Sequence, residues 1–430
     1  MRRGAGILGV AVLIAAGSVI APTATPASAA GQSCEPGQIV FTTNKPAALT
    51  SLDATAANQR ATGRGVTVAV VDSGIDAGNP HLAGAVVGGV NLVGDGERSD
   101  GLSDPLGHGT VIAGEIAARP VAGSGVVGLA PDAALLSVRV FRSDTEDDAK
   151  KGFGPTAARI AEGIRWGVDH GARVINVSMS MRRDDPALRA AVEYAAAQHS
   201  LVVASGGNRA SDPEAPDEAR FPAGYPEALG VSAAADDGRV TDDSIHGPQV
   251  SVTAPGANVL STATGAGDCQ FEAVPSASWA TAYVSGAAAL VAQAHPDEPA
   301  AGWAYRLRAT ALRADADHRD DRDGWGFIQP AAAIDLLPDA SIRGPQSPFV
   351  DNAGSAVRPV GAQVGSDPSP SAFLETKQAA ILAGVIAAAL LGLLTTLLLL
   401  RRRRTELAEA SASTPPRTGG LLDQEKPDPF

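Results

Sequence analysis

The chain reads as an α/β domain, a mostly parallel sheet with helices on both faces, followed by a C-terminal transmembrane helix. Three observations predict this. Apolar β-branched runs alternate with amphipathic helical stretches through residues 63–337, an acid closes the first of those runs, and residues 378–400 contain no charged side chain.

The first run, Val66 to Val71, is continuous and β-branched, the pattern of a strand buried on both faces, and Asp72 stands at its carboxyl end. His108 lies between Gly107 and Gly109 at the start of a helix predicted over Thr110–Ala118. From Arg159 to His170, Ile160, Ile164 and Val168 recur at fourfold spacing, and Gly171 stops the helix. Arg173 to Val177 reads as the next strand. Pro186 then opens a helix with Leu188, Ala191, Val192 and Ala195 inward, and Leu201 to Ala204 returns as a strand. Such repeated units imply parallel strands whose carboxyl ends carry the ligand site. Asp72 leaves its strand into Ser73-Gly74, and Asn208 leaves its strand through Ser205-Gly206-Gly207, so both belong to that rim. Ser278 precedes a small-residue helix, Ala282 to Leu290.

The two ends place the domain. Arg2-Arg3, the apolar run Ile7 to Ile20 and Ala27-Ser28-Ala29 predict a signal peptide over 1–30. A short extension, 31–62, precedes the main body at 63–337. A Pro/Gly/Ser-rich linker follows over 338–377, then the span 378–400, long enough to cross a hydrocarbon layer of roughly 30 Å. Arg401 to Arg404 put the tail, 401–430, in the cytoplasm and the body outside. The formal net charge of −13 argues against nucleic-acid binding. Cys34 and Cys269, the only cysteines, face an oxidising compartment, where they pair or remain as two buried thiols.

Asp72, His108 and Ser278 supply an acid, an imidazole and a hydroxyl in one particular chain order, and order with local context indicates which fold carries such a triad. Val70-Val71-Asp72-Ser73-Gly74, Gly107-His108-Gly109-Thr110, Val174-Ile175-Asn176, Phe221-Pro222-Ala223, Thr253-Ala254-Pro255-Gly256 and Ser276-Ala277-Ser278 with Tyr283-Val284-Ser285-Gly286 together resemble the subtilases, the subtilisin-like serine proteases. The resemblance covers essentially all of 63–337. It implies peptide hydrolysis with Ser278 as nucleophile, His108 as general base and Asp72 as its orienting acid. Asn208 and the Ser278 amide would stabilise the oxyanion. Substrate backbone would pair along Ser178-Met179-Ser180, and Ser205-Gly206-Gly207 would also bind substrate.

Three departures stand beside the matches. Ser276 and Ala277 replace the Gly-Thr that the family has before its nucleophile, and Ala282 replaces a proline. The first puts a side chain where backbone approaches the nucleophile and the second removes a hydroxyl that can assist the oxyanion, so weakened activity is expected. The whole layout resembles the mycosins, membrane-anchored subtilases of type VII secretion. That likeness implies a secretion membrane complex as partner, proteins or peptides as substrates, and an extension that wraps the body, the alternative being a cleaved remnant. No cofactor or metal site is expected. Asp95 to Asp100 and Asp320 to Gly324 are acidic loops that could suggest calcium, yet Arg319 stands where a helix-loop-helix site needs its first aspartate, and both read as solvated. Asp144 to Lys151 reads as a surface loop. Two functions remain, an active membrane-tethered endopeptidase and an inactive structural subunit of the secretion complex.

Overall fold

The computed structural model describes residues 34, 36–209, 215–271 and 274–350. The signal peptide, the greater part of the linker, the transmembrane span and the tail expected from the sequence lie outside them. Among the described residues no helix is long and apolar enough to cross a membrane.

In chain order the elements are α1 (Ala47–Ser51), α2 (Ala54–Asn58), β1 (Thr67–Asp72), β2 (Val86–Asn91), α3 (His108–Ala117), β3 (Ala134–Arg139), α4 (Glu146–Lys150), α5 (Ala157–Asp169), β4 (Val174–Val177), α6 (Pro186–Ala197), β5 (Leu201–Ser205), β6 (Ala228–Ala234), β7 (Val252–Pro255), β8 (Leu260–Thr262), β9 (Asp268–Gln270), α7 (Ala277–Ala294), α8 (Ala300–Ala309) and α9 (Pro330–Asp335). Seven strands form one sheet in the order β2-β3-β1-β4-β5-β6-β7, and every pairing in it is parallel. β8 and β9 form a separate antiparallel pair.

Both faces of the sheet are covered. Val68 and Val70 pack with Ile112 and Ile116 of α3 and with Tyr283, Ala287 and Leu290 of α7. Their neighbours Ala69 and Val71 pack with Ile160, Ile164 and Val168 of α5 and with Leu188, Ala191 and Val192 of α6. Successive residues of a strand point to opposite faces, so a strand between two helical layers must be apolar along its covered length, as β1 is from Val68 to Val71.

Two segments differ from expectation. The small-residue helix starts at Ala277, because Ser276 caps it by accepting the Ser278 amide, so Ser278 sits in the first turn. Helix α7 then runs unbroken through Ala282, which is fully buried. Within Asp144 to Lys151, Thr145 accepts the Asp148 amide and caps the short helix α4. The acidic loops are also tied down. Asp95 is buried against Arg139, while Asp320 accepts the amides of Arg322 and Asp323 at 2.8 and 2.7 Å.

The extension lies along the body. The Gly37 amide reaches the Gly265 carbonyl at 2.7 Å, the Thr42 amide reaches an Asp268 carboxylate oxygen at 2.8 Å, and the Asp268 amide reaches the Val40 carbonyl at 2.8 Å. A disulfide joins Cys34 to Cys269 with 5.5 Å between their Cα atoms. The sequence left that pairing open.

Candidate active site

The carboxyl ends of β1, β4 and β5 meet the first turns of α3 and α7, and the candidate residues lie on these ends. Asp72, the last residue of β1, is wholly buried. One of its carboxylate oxygens meets His108 Nδ1 at 2.7 Å and accepts the Ser73 amide at 2.7 Å. His108 begins α3. Its neighbour Gly109 is required by space, since a Cβ there would come within 2.1 Å of the Gly74 carbonyl oxygen. Burial pulls the imidazole pKa down, but the adjacent Asp72 carboxylate, helped by the charges of Asp104 and Asp144, outweighs it and holds the ring above its ordinary value.

A second buried carboxylate organises this corner, and no sequence motif pointed to it. Asp104 accepts the Gly107 amide at 2.9 Å, the Thr110 amide at 2.8 Å, and the Thr110 and Ser73 hydroxyls at 2.7 and 2.8 Å. It therefore closes the N-terminus of the His108 helix, and the Ser73 hydroxyl links it to Asp72 at 3.2 Å. Burial raises the Asp104 pKa despite those bonds. The only signal in the chain was an acid four residues before His108.

Ser278 has little exposure, and its hydroxyl donates to the Ser178 carbonyl at 2.9 Å. The Ser178 hydroxyl returns a bond to the Ser278 carbonyl at 3.0 Å. No hydrogen bond joins Ser278 to His108 in this resting arrangement among the described residues. The Trp279 ring lies against His108 with centroids 4.9 Å apart and an interplanar angle of 34°, forming a wall that the motif reading did not single out as a site residue. Asn208 follows β5. Its side-chain oxygen accepts the Ala277 amide at 2.6 Å, and its Nδ2 donates to the Ser276 hydroxyl at 3.1 Å.

The two candidate substrate segments are neighbours. Beyond β4, Met179 packs on the core beneath α5 and α6, and Met181 exchanges backbone bonds with Phe221 at 2.7 and 2.9 Å. Beyond β5, the Gly206 amide reaches the Val231 carbonyl at 2.7 Å, and the Gly207 amide reaches the Ser205 hydroxyl at 3.2 Å. Gly207 has φ +102°, a left-handed conformation that favours glycine, and a Cβ there would lie 3.0 Å from the Ser180 hydroxyl. An acid and imidazole in contact, a nearby hydroxyl at a helix start, and an amide side chain beside it constitute equipment for acyl transfer.

Residues 63–326 match the subtilase family. Mycosin-3 of Mycobacterium tuberculosis is 31% identical over 386 residues, covering 79% of this chain and 82% of that protein. An intracellular serine protease of Paenibacillus polymyxa is 35% identical over 249 residues, 58% of this chain and 73% of its own. The crystal structure of MycP1 from Mycobacterium smegmatis superposes with a TM-score of 0.61 at 30% identity, over 74% of this chain and 92% of that one. With its parallel sheet and the residues gathered at the ends of β1, β4 and β5, the chain belongs to the subtilase family, as a subtilisin-like serine protease related to the mycosins.

Proposed function

We propose that the chain is a membrane-anchored extracytoplasmic endopeptidase that cuts proteins or peptides at Ser278 and works with a type VII secretion membrane complex. The observation that carries the catalytic reading is the 2.7 Å contact of His108 with the buried Asp72. It leaves Nε2 as the imidazole nitrogen available to a nucleophile. Ser278 attacks the peptide carbonyl as His108 takes its proton, Asp72 stabilises the imidazolium, and Asn208 Nδ2 with the Ser278 amide receives the oxyanion. His108 then protonates the leaving amine, and water releases the acyl group by the same path. Substrate backbone pairs as an added strand along 178–180, with 205–207 beside it.

The location rests on the uncharged run 378–400 followed by Arg401 to Arg404 and on the mycosin relatives, one of whose structures is described as from the ESX-1 type VII secretion system. A second reading, a structural subunit without turnover, is favoured by one specific observation, the Ser278 hydroxyl turned to Ser178. Intact cells expressing the full chain, given a fluorogenic peptide mixture that does not cross membranes, separate the two. Cleavage lost in Ser278→Ala is expected. Absence of cleavage by the wild type, with the chain folded and present at the surface, would favour the structural subunit.

A further inference from the structure

The two donors assigned to the oxyanion converge on a single atom that belongs to the protein itself. Asn208 Nδ2 lies 3.1 Å from the Ser276 hydroxyl oxygen, and the Ser278 amide lies 3.3 Å from the same oxygen. Productive oxyanion donors stand about 2.7–3.1 Å from the point where the substrate oxygen develops charge. At 3.1 Å from one donor and 3.3 Å from the other, the Ser276 oxygen lies close to that point. A serine at this position could be an ordinary helix cap, which would explain its bond to the Ser278 amide. It would not explain the amide of Asn208, which arrives from beyond β5. Nor does the backbone demand any particular residue here, since Ser276 has φ −126° and ψ 128°, ordinary extended values.

The nucleophile is engaged as well, by the Ser178 carbonyl at 2.9 Å. Both halves of the machinery are thus satisfied internally in the resting state. A substrate carbonyl has to displace the Ser276 oxygen from its two donors, and the Ser278 hydroxyl has to leave Ser178 for His108.

We propose that the Ser276 hydroxyl is a built-in occupant of the oxyanion site, a gate that a substrate must displace before Ser278 can react. The inference rests on Ser278 being the nucleophile. It also indicates a substrate class. Displacement is unfavourable at the reacting carbonyl and must be offset by binding elsewhere, which an extended polypeptide lying along 178–180 and 205–207 can supply and a short ester or amide cannot. Ser276 acts here by positioning; it takes no part in bond making.

The test compares the rate at which a small fluorophosphonate labels the full chain in detergent for wild type, Ser276→Gly, Ser276→Ala, Ser276→Thr and Ser278→Ala, with a melting curve for each. Glycine remains a good cap and alanine keeps the side chain's first carbon, so a loss of fold in one variant leaves the other to decide. The Gly and Ala variants are expected to label about tenfold faster, equivalent to about 1.4 kcal/mol. Ser276→Thr retains the hydroxyl and should label no faster than wild type. The gain should be smaller for a long peptide substrate than for the small probe, a contrast that loss of a cap would not produce. Ser278-dependent labelling that is unchanged in Ser276→Gly and Ser276→Ala overturns the gate. Slower labelling in both also overturns it, showing that the hydroxyl helps to hold the oxyanion. Labelling that survives Ser278→Ala, or that is absent from every variant, instead removes the reading of Ser278 as nucleophile and the gate with it.

Discussion

Asp72→Asn is expected to lower kcat/KM by about four orders of magnitude with little change in fold. The carboxylate accepts from His108 Nδ1 at 2.7 Å and from the Ser73 amide at 2.7 Å. An asparagine amide fits the same space but carries no charge, so it cannot stabilise the imidazolium that forms when His108 takes the Ser278 proton. The pH profile provides an independent readout. In the wild type burial lowers the His108 pKa and Asp72 raises it more, so the ring titrates above its ordinary value. The base form does the work, so kcat/KM should rise with pH through that elevated value. Removing the carboxylate leaves burial opposed only by the charges of Asp104 and Asp144, and the acid limb of the residual activity should move to lower pH. Steady-state rates across pH check both statements, and an unmoved limb would mean that Asp72 does not hold the imidazole.

Arg139→Met is expected to cost about 3–5 kcal/mol, because it leaves the buried Asp95 carboxylate without its partner. Both side chains are fully buried, and the guanidinium grips the carboxylate at 2.8 and 2.7 Å. The same group donates to the Ser73 carbonyl at 2.9 Å, which lies directly beyond Asp72, so catalysis should fall as well. Burial raises the Asp95 pKa, but hydrogen bonds and charge from Arg139 with help from Asn91 outweigh it and hold the carboxyl at about 2. A depressed folded pKa contributes stability that is complete above the unfolded value of about 3.9 and is lost as pH falls toward about 2. Denaturant melts at neutral pH should show the loss, and Arg139→Met with Asp95→Leu should recover most of it, since no charge is then left buried. An equal loss in the double variant would show that packing dominates over the ion pair.

The residues on strand ends were the most legible. Asp72 could be placed because an apolar β-branched run ends on it, and a strand covered on both faces leaves an acid only its carboxyl end. Asn208 followed by the same reasoning, through Ser205-Gly206-Gly207. The start of α7 was not legible, because an apolar pattern counts from Ala282 while the helix is begun by the hydrogen bond of Ser276 to the Ser278 amide. Thr145 with Asp148 carried a local cap signal for α4, hidden in a run of charges. Asp104 was invisible for a different reason. Its role comes from contacts with Ser73, 31 residues away, and with Thr110, and pattern along the chain does not report contacts made through space. The same holds for Cys34 and Cys269, separated by 235 residues. Ser276 was legible as a departure, and only the geometry shows that its hydroxyl accepts from both Asn208 Nδ2 and the Ser278 amide.

We propose that His108 activates Ser278 in this chain despite Ser276 and Ala277. The most direct test is mass spectrometry of the full chain after fluorophosphonate treatment, with His108→Ala and Ser278→Ala beside it. One adduct is expected, on the peptide containing Ser278, strongly reduced in the His108 variant and absent in the Ser278 variant. A folded wild-type chain that carries no adduct, or an adduct that persists without Ser278, would contradict it.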